Sequence, residues 1–380
     1  MRYAMIMAGG AGTRLWPMSR LDRPKQLIKF IEPTGNHGAA VSLLDLAAGR
    51  LEGMIPPERR FICTAEGYRG AIRAALPEFS DDRILGEPVG RDTVNAVGFA
   101  AAVFQKLDSD AVFCVLTADH IIEPVGKFQE LMDLGFRLVE ADPNRLVTFS
   151  IKPTHAATGF GYVERGTPII EVPGSSGLAY KVARFVEKPD LPRAQAYVQS
   201  GVFGWNSGMF VWKAATVMEC LKRFKPESHE GLVKIQEAWG TDRQAAVLAE
   251  VYPTLPKISV DYAIMEPATK AKGQVGGPDR PFTVATVLMD LKWLDVGSWP
   301  SYGDTLPPDG SKNRTAGAGP AVLVNGGSNL VVNAVPGHTL ALLGCQDLIV
   351  VHTEDATLIM PREKAEQLKE LHARVDEKLR

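Results

Sequence analysis

Tyr3-Ala4-Met5-Ile6-Met7-Ala8-Gly9-Gly10-Ala11-Gly12-Thr13-Arg14-Leu15-Trp16-Pro17, followed shortly by Pro24-Lys25-Gln26, decides the fold. The unbroken apolar run Tyr3 to Ala8 reads as a buried first strand. The glycines behind it read as a turn whose backbone N–H groups approach phosphate oxygens with no side chain in the way. Arg14 and Lys25 add positive charge where a triphosphate needs neutralising. Dinucleotide-binding proteins and tight structural turns also place glycines after a first strand, so the turn alone leaves those readings open. The string is not a Walker loop, since no Gly-Lys-Ser/Thr closes it, and the Arg14 and Lys25 pair sets it apart from a nicotinamide dinucleotide fingerprint.

Outward from that strand, β-branched runs alternate with amphipathic stretches, the pattern of a parallel sheet covered by helices. Strands are expected at Arg60 to Cys63, Arg83 to Leu85, Ala111 to Leu116, Leu146 to Ile151, Lys181 to Glu187, Gly208 to Trp212 and Pro281 to Val287. Helices are expected at Asp92 to Leu107, Leu191 to Gln199, Ala214 to Phe224 and Leu232 to Trp239. Residues 1–300 thus read as an α/β domain with a Rossmann-like, mainly parallel sheet, and the Gly-, Pro-, Asp- and Asn-rich residues 301–319 as a linker. In residues 320–380, short strands at Ala321 to Val324, Leu330 to Asn333, His338 to Leu342, Leu348 to Val351 and Thr357 to Ile359 suggest a small C-terminal β domain. Arg362 to Leu379, with Leu368, Leu371 and Leu379, reads as a terminal amphipathic helix.

The bulk numbers exclude several function classes. With 42 basic and 44 acidic residues among 380, the formal charge of −2 provides no global field to attract nucleic acid or an anionic membrane, so any anion site is local. No apolar run approaches the ~20 residues of a membrane span. Cys63, Cys114, Cys220 and Cys345 are far apart without metal-ligand spacing, which fits reduced thiols in a cytoplasmic protein.

The string Gly-Gly-x-Gly-Thr-Arg-Leu followed by Pro-Lys-Gln resembles the signature of nucleotidyltransferases that act on sugar phosphates, in particular the mannose-1-phosphate guanylyltransferases. Further motifs follow in family order up to Trp299. Glu87-Pro88-Val89-Gly90-Arg91-Asp92-Thr93 looks like the base-side segment, with Asp92 where the family usually has Asn. Either Asp92 or Glu87 offers a carboxylate to the guanine N1–H and N2–H₂ edge, and Asp92 alternatively caps the helix that follows. Thr158-Gly159-Phe160-Gly161-Tyr162-Val163 resembles the sugar loop, and Phe185-Val186-Glu187-Lys188-Pro189 the segment in which, by resemblance, Glu187 accepts from sugar hydroxyls and Lys188 binds the sugar's phosphate. Trp205-Asn206-Ser207-Gly208-Met209-Phe210 contributes Asn206, a donor and acceptor suited to a sugar, while Trp205 and Phe210 read as core. In Ser259-Val260-Asp261-Tyr262-Ala263-Ile264-Met265-Glu266, Asp261 either reaches the sugar or caps a helix.

Asp119, in Thr117-Ala118-Asp119-His120, stands just beyond the carboxyl end of a central strand, where such sheets bind ligands. Asp295 stands in Trp293-Leu294-Asp295-Val296-Gly297-Ser298-Trp299, which resembles the family's Trp-x-Asp-Val-Gly-x-Trp segment. The two suffice for Mg²⁺, which takes one or two carboxylates plus phosphate oxygens and water. His120, with no second His nearby, reads as a residue that positions Asp119 or packs locally.

The resemblance implies a nucleotide-diphospho-sugar transferase fold with a β-helix-like tail. It implies that mannose 1-phosphate and GTP become GDP-mannose and pyrophosphate, and it allows a homodimer. Ala8, Gly9, Gly10, Gly12, Thr13, Arg14, Lys25, Glu87, Arg91 and Asp92 would bind the nucleotide. Gly161, Tyr162, Glu187, Lys188, Asn206 and Asp261 would bind the sugar phosphate. Arg14, Lys25, Asp119, Lys188 and Asp295 would carry the reaction. A UTP- or dTTP-using glucose-1-phosphate nucleotidyltransferase and a silent paralogue that only binds GDP-mannose remain alternatives.

Overall fold

The computed structural model describes residues 1–10, 12–31, 40–271 and 281–380, so Ala11 of the glycine string lies outside the described residues. The first ten strands are β1 (Arg2–Met7), β2 (Arg60–Ala65), β3 (Ile84–Glu87), β4 (Val112–Thr117), β5 (His120–Glu123), β6 (Arg145–Ile151), β7 (Tyr162–Pro168), β8 (Ala179–Val186), β9 (Phe203–Lys213) and β10 (Thr283–Met289). All but β5 join one sheet in the order β3-β2-β1-β4-β9-β6-β10-β8-β7. Strands β1 to β4 pair in parallel, and β9 runs antiparallel between β4 and β6. Alternation along β1 and β4 divides the core. Ala4, Ile6, Cys114 and Leu116 pack on one face, and Tyr3, Met5, Phe113 and Val115 on the other, because successive side chains of a strand point to opposite sides.

The helix Asp92–Leu107 spans the expected residues and is buried from Val94 to Phe104. Its Gly98 has a packing reason: a Cβ there would stand 2.4 Å from Leu232 Cδ1, on the neighbouring helix Pro226–Ala238. That neighbour begins earlier than the expected Leu232, with Pro226 in its first turn, where proline's missing N–H costs nothing. Strands β5 and β7, and β11 (Lys292–Asp295), are too short or too polar to show a strand pattern in the sequence.

The tail forms stacked parallel coils from β12 (Arg314–Ala316), β13 (Ala321–Val324), β14 (Leu330–Asn333), β15 (Leu340–Leu343) and β16 (Leu348–His352), closed by β17 (Thr357–Pro361), which runs antiparallel to β16. Pairings β12–β14–β16 and β13–β15 are parallel, a β-helix-like arrangement. Buried asparagines hold the coils in register: Asn329 donates to Asn313 Oδ1 at 3.0 Å, and Asn333 donates to the Pro320 carbonyl at 3.0 Å. β12 falls inside the expected linker, since its backbone finds ladder partners in β14.

A third core joins the two parts. Leu15, Trp16, Val296, Trp299 and Tyr302 pack with Leu330, Ile349, Val351, Leu358 and Leu368. The expected continuous helix over Arg362 to Leu379 is instead a 3₁₀ segment Arg362–Gln367, a short helix Leu368–His372 and a 3₁₀ turn Glu377–Leu379. Tertiary bonds compete with helical ones there: Trp16 Nε1 donates to the Leu379 carbonyl at 2.8 Å, and the Leu21 N–H to the Arg380 carbonyl at 2.9 Å.

Candidate active site

The glycine turn leaves β1 at the carboxyl edge of the parallel strands. Gly10 (φ 96°) and Gly12 (φ 64°) occupy the left-handed region. At Gly12 a side chain is excluded twice, because a Cβ would also lie 2.7 Å from Lys25 Cβ. The turn is pinned through its carbonyls, with Thr64 Oγ1 donating to Ala8 at 3.0 Å, Gln26 Nε2 to Gly9 at 2.7 Å and Ser19 Oγ to Gly12 at 2.7 Å. Thr13 and Arg14 follow in the single 3₁₀ turn Thr13–Leu15.

Strand register brings the two distant aspartates together. In the antiparallel β5–β11 pair, Asp295 stands opposite His120, and the Val296 N–H donates to the Asp119 carbonyl at 2.9 Å. Ligand atoms of Asp119, His120 and Asp295 all lie within 4.8 Å of one another. Lys25 Nζ donates to Asp119 Oδ2 at 2.6 Å. Burial opposes ionisation of Asp119, but the Lys25 ammonium outweighs it and holds the carboxyl well below the usual range. Asp295 goes the other way, pushed up to about 6 by burial and then by the Asp119 charge. Two crowded carboxylates, one resisting ionisation, fit a divalent cation, which removes their repulsion.

His120 is a neutral support. Burial pushes it down to about 4, Trp293 Nε1 donates to its Nδ1 at 3.2 Å, and its Nε2 lies 3.7 Å from Asp119 Oδ1. With Nδ1 accepting, the ring proton sits on Nε2, on the Asp119 side. Arg50, unmarked by any motif, donates from beneath to the His120 carbonyl. Arg14 Nη1 pairs with Glu366 Oε1 of the C-terminal part at 3.2 Å, and its Nη2 lies 3.2 Å from a Cβ placed on Gly297, beside Asp295.

On the other side of the glycines, Glu87 ends β3. Tyr252 donates to its Oε1 at 2.6 Å, and its Oε2 lies 3.9 Å from a Cβ placed on Gly9. Burial raises the Glu87 pKa, opposed by the Tyr252 hydroxyl and the Arg91 backbone N–H. Asp92 opens the helix with φ 64° and, among the described residues, accepts from the adjacent Thr93 N–H, at 2.7 Å, and not from the N–H two or three residues on that a helix cap serves. Asn tolerates that left-handed geometry as well as Asp does, so the exchange costs the backbone little. The neighbouring Arg91 has its Nε buried without a hydrogen-bond partner among the described residues.

A third group forms where β7, β8 and β9 meet. Tyr162 pairs with Val186 and with Trp205, which puts Gly161, Glu187 and Asn206 side by side. A Cβ on Gly161 would lie 2.5 Å from Glu187 Oε2. Thr148 Oγ1 donates to Asn206 Oδ1 at 2.7 Å, and Asn206 Nδ2 donates to Asp261 Oδ1 at 2.9 Å. Asp261 is the first residue of a π-helical turn, Asp261–Met265, whose cap position is held by Val260, so Asp261 does not stand where a helix cap would. Lys188 (φ 43°) pairs with Glu187 Oε1 at 3.0 Å; burial lowers its pKa, but that bond together with the Glu187 and Asp261 charges outweighs burial and raises it. The Tyr162 side chain meets this group from the core side. It is fully buried and its hydroxyl donates to the Ala157 carbonyl at 2.9 Å, so the side chain supports the loop from inside the core.

This group adjoins the metal-fitting one. Gly208 approaches Thr117, with 3.5 Å from its Cβ position to Thr117 Cγ2, and Phe160 packs edge-on against both Trp205 and Trp293.

Asp261 supplies a stability prediction. Burial, then Glu187, pushes its pKa up to about 7. A carboxyl with a raised folded-state pKa contributes stability that is full below its unfolded value near 4 and is lost as pH rises through about 7. Asp261→Asn is therefore expected to stabilise the ligand-free protein by about 1–2 kcal/mol at pH 8 and by much less at pH 5, as read by thermal unfolding at both values.

The nucleotidyl transferase family model matches residues 3–309, and the model of the MannoseP isomerase/GMP-like β-helix domain matches residues 320–375. The chain belongs to the nucleotidyl transferase family. This nucleotidyl transferase is 34% identical over 372 residues to the mannose-1-phosphate guanylyltransferase of Escherichia coli, covering 97% of the chain and 73% of that relative. It is 36% identical over 358 residues to the enzyme of the same name from Salmonella montevideo, covering 93% of the chain and 70% of the relative. A crystal structure from Thermus thermophilus, described as a mannose-1-phosphate geranyltransferase, superposes with a TM-score of 0.82 at 31% identity and covers 98% of both chains. No described helix of the nucleotidyl transferase is long and apolar enough to cross a membrane.

Proposed function

We infer that this nucleotidyl transferase is a mannose-1-phosphate guanylyltransferase, which joins mannose 1-phosphate to GTP and releases GDP-mannose and pyrophosphate. The observation that carries the reading is the Lys25, Asp119 and Asp295 cluster beneath the glycine turn, with a carboxylate, amide and lysine group beside it. Near-full-length similarity to proteins named for this activity supports the choice of substrates.

The sugar phosphate attacks the α-phosphorus of GTP in line, and pyrophosphate leaves from the opposite side. No general base is needed, because a phosphate monoester with a second pKa near 6 is already largely a dianion at neutral pH. The downward-shifted, neutral His120 agrees with that. Catalysis then consists of alignment and charge neutralisation. Arg14 receives the leaving pyrophosphate and Lys25 the α-phosphate, with the backbone of Ala8, Gly9, Gly10, Gly12 and Thr13 along the triphosphate. Lys188 binds the sugar's phosphate. Gly161, Glu187, Asn206 and Asp261 contact the sugar hydroxyls, and Glu87, Arg91 and Asp92 lie on the base side. Asp119 and Asp295 would hold Mg²⁺, which when bound would supply charge neutralisation to the reaction. Buried free cysteines support a reducing, cytoplasmic setting.

A pyrophosphate-release assay over four nucleoside triphosphates and several sugar 1-phosphates tests the assignment. GTP with mannose 1-phosphate is expected to be preferred. Preference for UTP or dTTP with glucose 1-phosphate, or no turnover with any pair, overturns it. The Arg14–Glu366 pair makes a further prediction, since triphosphate must take Arg14 from an exposed partner worth about 0–1 kcal/mol. Glu366→Gln is expected to lower the KM for GTP by about two- to fivefold in initial-rate kinetics.

A further inference from the structure

Tyr252 belongs to none of the motifs, yet it holds one of the buried carboxylates at the site. Its side chain is fully buried, its ring packs on Phe99 at 5.8 Å, and its hydroxyl donates to Glu87 Oε1 across 165 positions of sequence. That fixes the carboxylate plane. Oε2 faces Gly9, in the turn to which the proposed function assigns the triphosphate. The chain after Tyr252 is bolted to the start of the Asp92–Leu107 helix: Asn95 Nδ2 donates to the Pro256 carbonyl at 2.6 Å, and the Val260 N–H donates to Thr93 Oγ1 at 2.9 Å. The hydroxyl therefore has a rigid origin.

A fixed carboxylate accepts best from two adjacent donors on one ligand edge. Guanine presents such a pair in N1–H and N2–H₂. Uracil and thymine present a single N3–H flanked by carbonyl oxygens, and adenine a lone amino group beside an acceptor.

We propose that Tyr252 is a positioning residue for nucleobase selection, its hydroxyl locking Glu87 in the orientation that accepts from the guanine edge. This rests on the reading of Glu87 as the base contact. The experiment separates the two ideas by comparing full-length wild type, Tyr252→Phe and Glu87→Gln with GTP and with inosine 5′-triphosphate, which keeps N1–H and lacks the N2 amino group, at saturating mannose 1-phosphate. The ratio of kcat/KM for the two nucleotides is a property of active molecules only, so incomplete folding of a variant does not alter it.

The GTP preference is expected to shrink by about three- to tenfold in Tyr252→Phe and by at least as much in Glu87→Gln. An unchanged ratio in Tyr252→Phe, beside a reduced one in Glu87→Gln, overturns the role of Tyr252 and leaves Glu87 as base contact. Unchanged ratios in both overturn the base contact and the proposal with it. Equal losses for both nucleotides in Tyr252→Phe mark a purely structural residue and also overturn it.

Discussion

Asp295→Asn is expected to lower turnover by about three orders of magnitude, the largest effect of any single substitution in the site, with Asp119→Ala beside it. Asp295 reaches the site only through the β5–β11 register, and its carboxyl is already pushed up to about 6 by burial and by Asp119. An amide of the same shape keeps the pairing and removes the charge, so the loss reads charge neutralisation and not folding. Mg²⁺-dependent pyrophosphate release measures it, and near-normal turnover in either variant refutes the ligand assignment. The raised pKa carries its own signature. Below about pH 6 a proton occupies Asp295 and a metal must displace it, so apparent Mg²⁺ affinity should weaken by roughly tenfold per pH unit. Asp295→Asn should abolish that slope in calorimetric titrations.

Lys25→Met is expected to lower kcat by about 10²- to 10³-fold and also to destabilise the ligand-free protein. The two losses have different origins. Lys25 is the cation that keeps Asp119 ionised, and both side chains are largely shielded from solvent, with exposures of 10% and 25%. Removing one member of such a pair leaves an uncompensated charge beside Asp295, and breaking buried pairs typically costs about 3–5 kcal/mol. Part of that should return with Mg²⁺, or in the Lys25→Met/Asp119→Asn double variant, whose thermal midpoint is expected above that of the single one. Turnover should return in neither case, because the phosphate still lacks its cation. Near-normal kcat of Lys25→Met at saturating Mg²⁺ would show that Lys25 serves only Asp119.

The relation between Arg14 and Glu366 gives the tail a place in the site. The β-helix-like part shares a hydrophobic core with Leu15 and Trp16, and its last residues hydrogen-bond to Trp16 and Leu21. The loop that presents Arg14 is thereby held from behind by residues more than 300 positions away. A truncated chain lacking the tail would expose that core, and its behaviour would report on the docking more than on the chemistry.

The sequence by itself determined the features that depend on near neighbours. The strand and glycine turn at Tyr3 to Gly12, the helix Asp92–Leu107 and the strand Ala321–Val324 follow from hydrophobic period and turn residues, which are local. Arg14, Lys25, Asp119 and Asp295 could be singled out as candidates from their motifs, because phosphate and metal chemistry restricts the residue types. Only the tertiary structure decided who meets whom. Lys25 finds Asp119 across 94 residues, Tyr252 finds Glu87 across 165 and Arg14 finds Glu366 across 352. Those meetings are set by strand register and by the docking of the tail, and no local pattern encodes either. The same physics put the Tyr162 side chain in the core and broke the terminal helix, since burial and long-range hydrogen bonds outweigh the preferences that a short stretch of sequence displays.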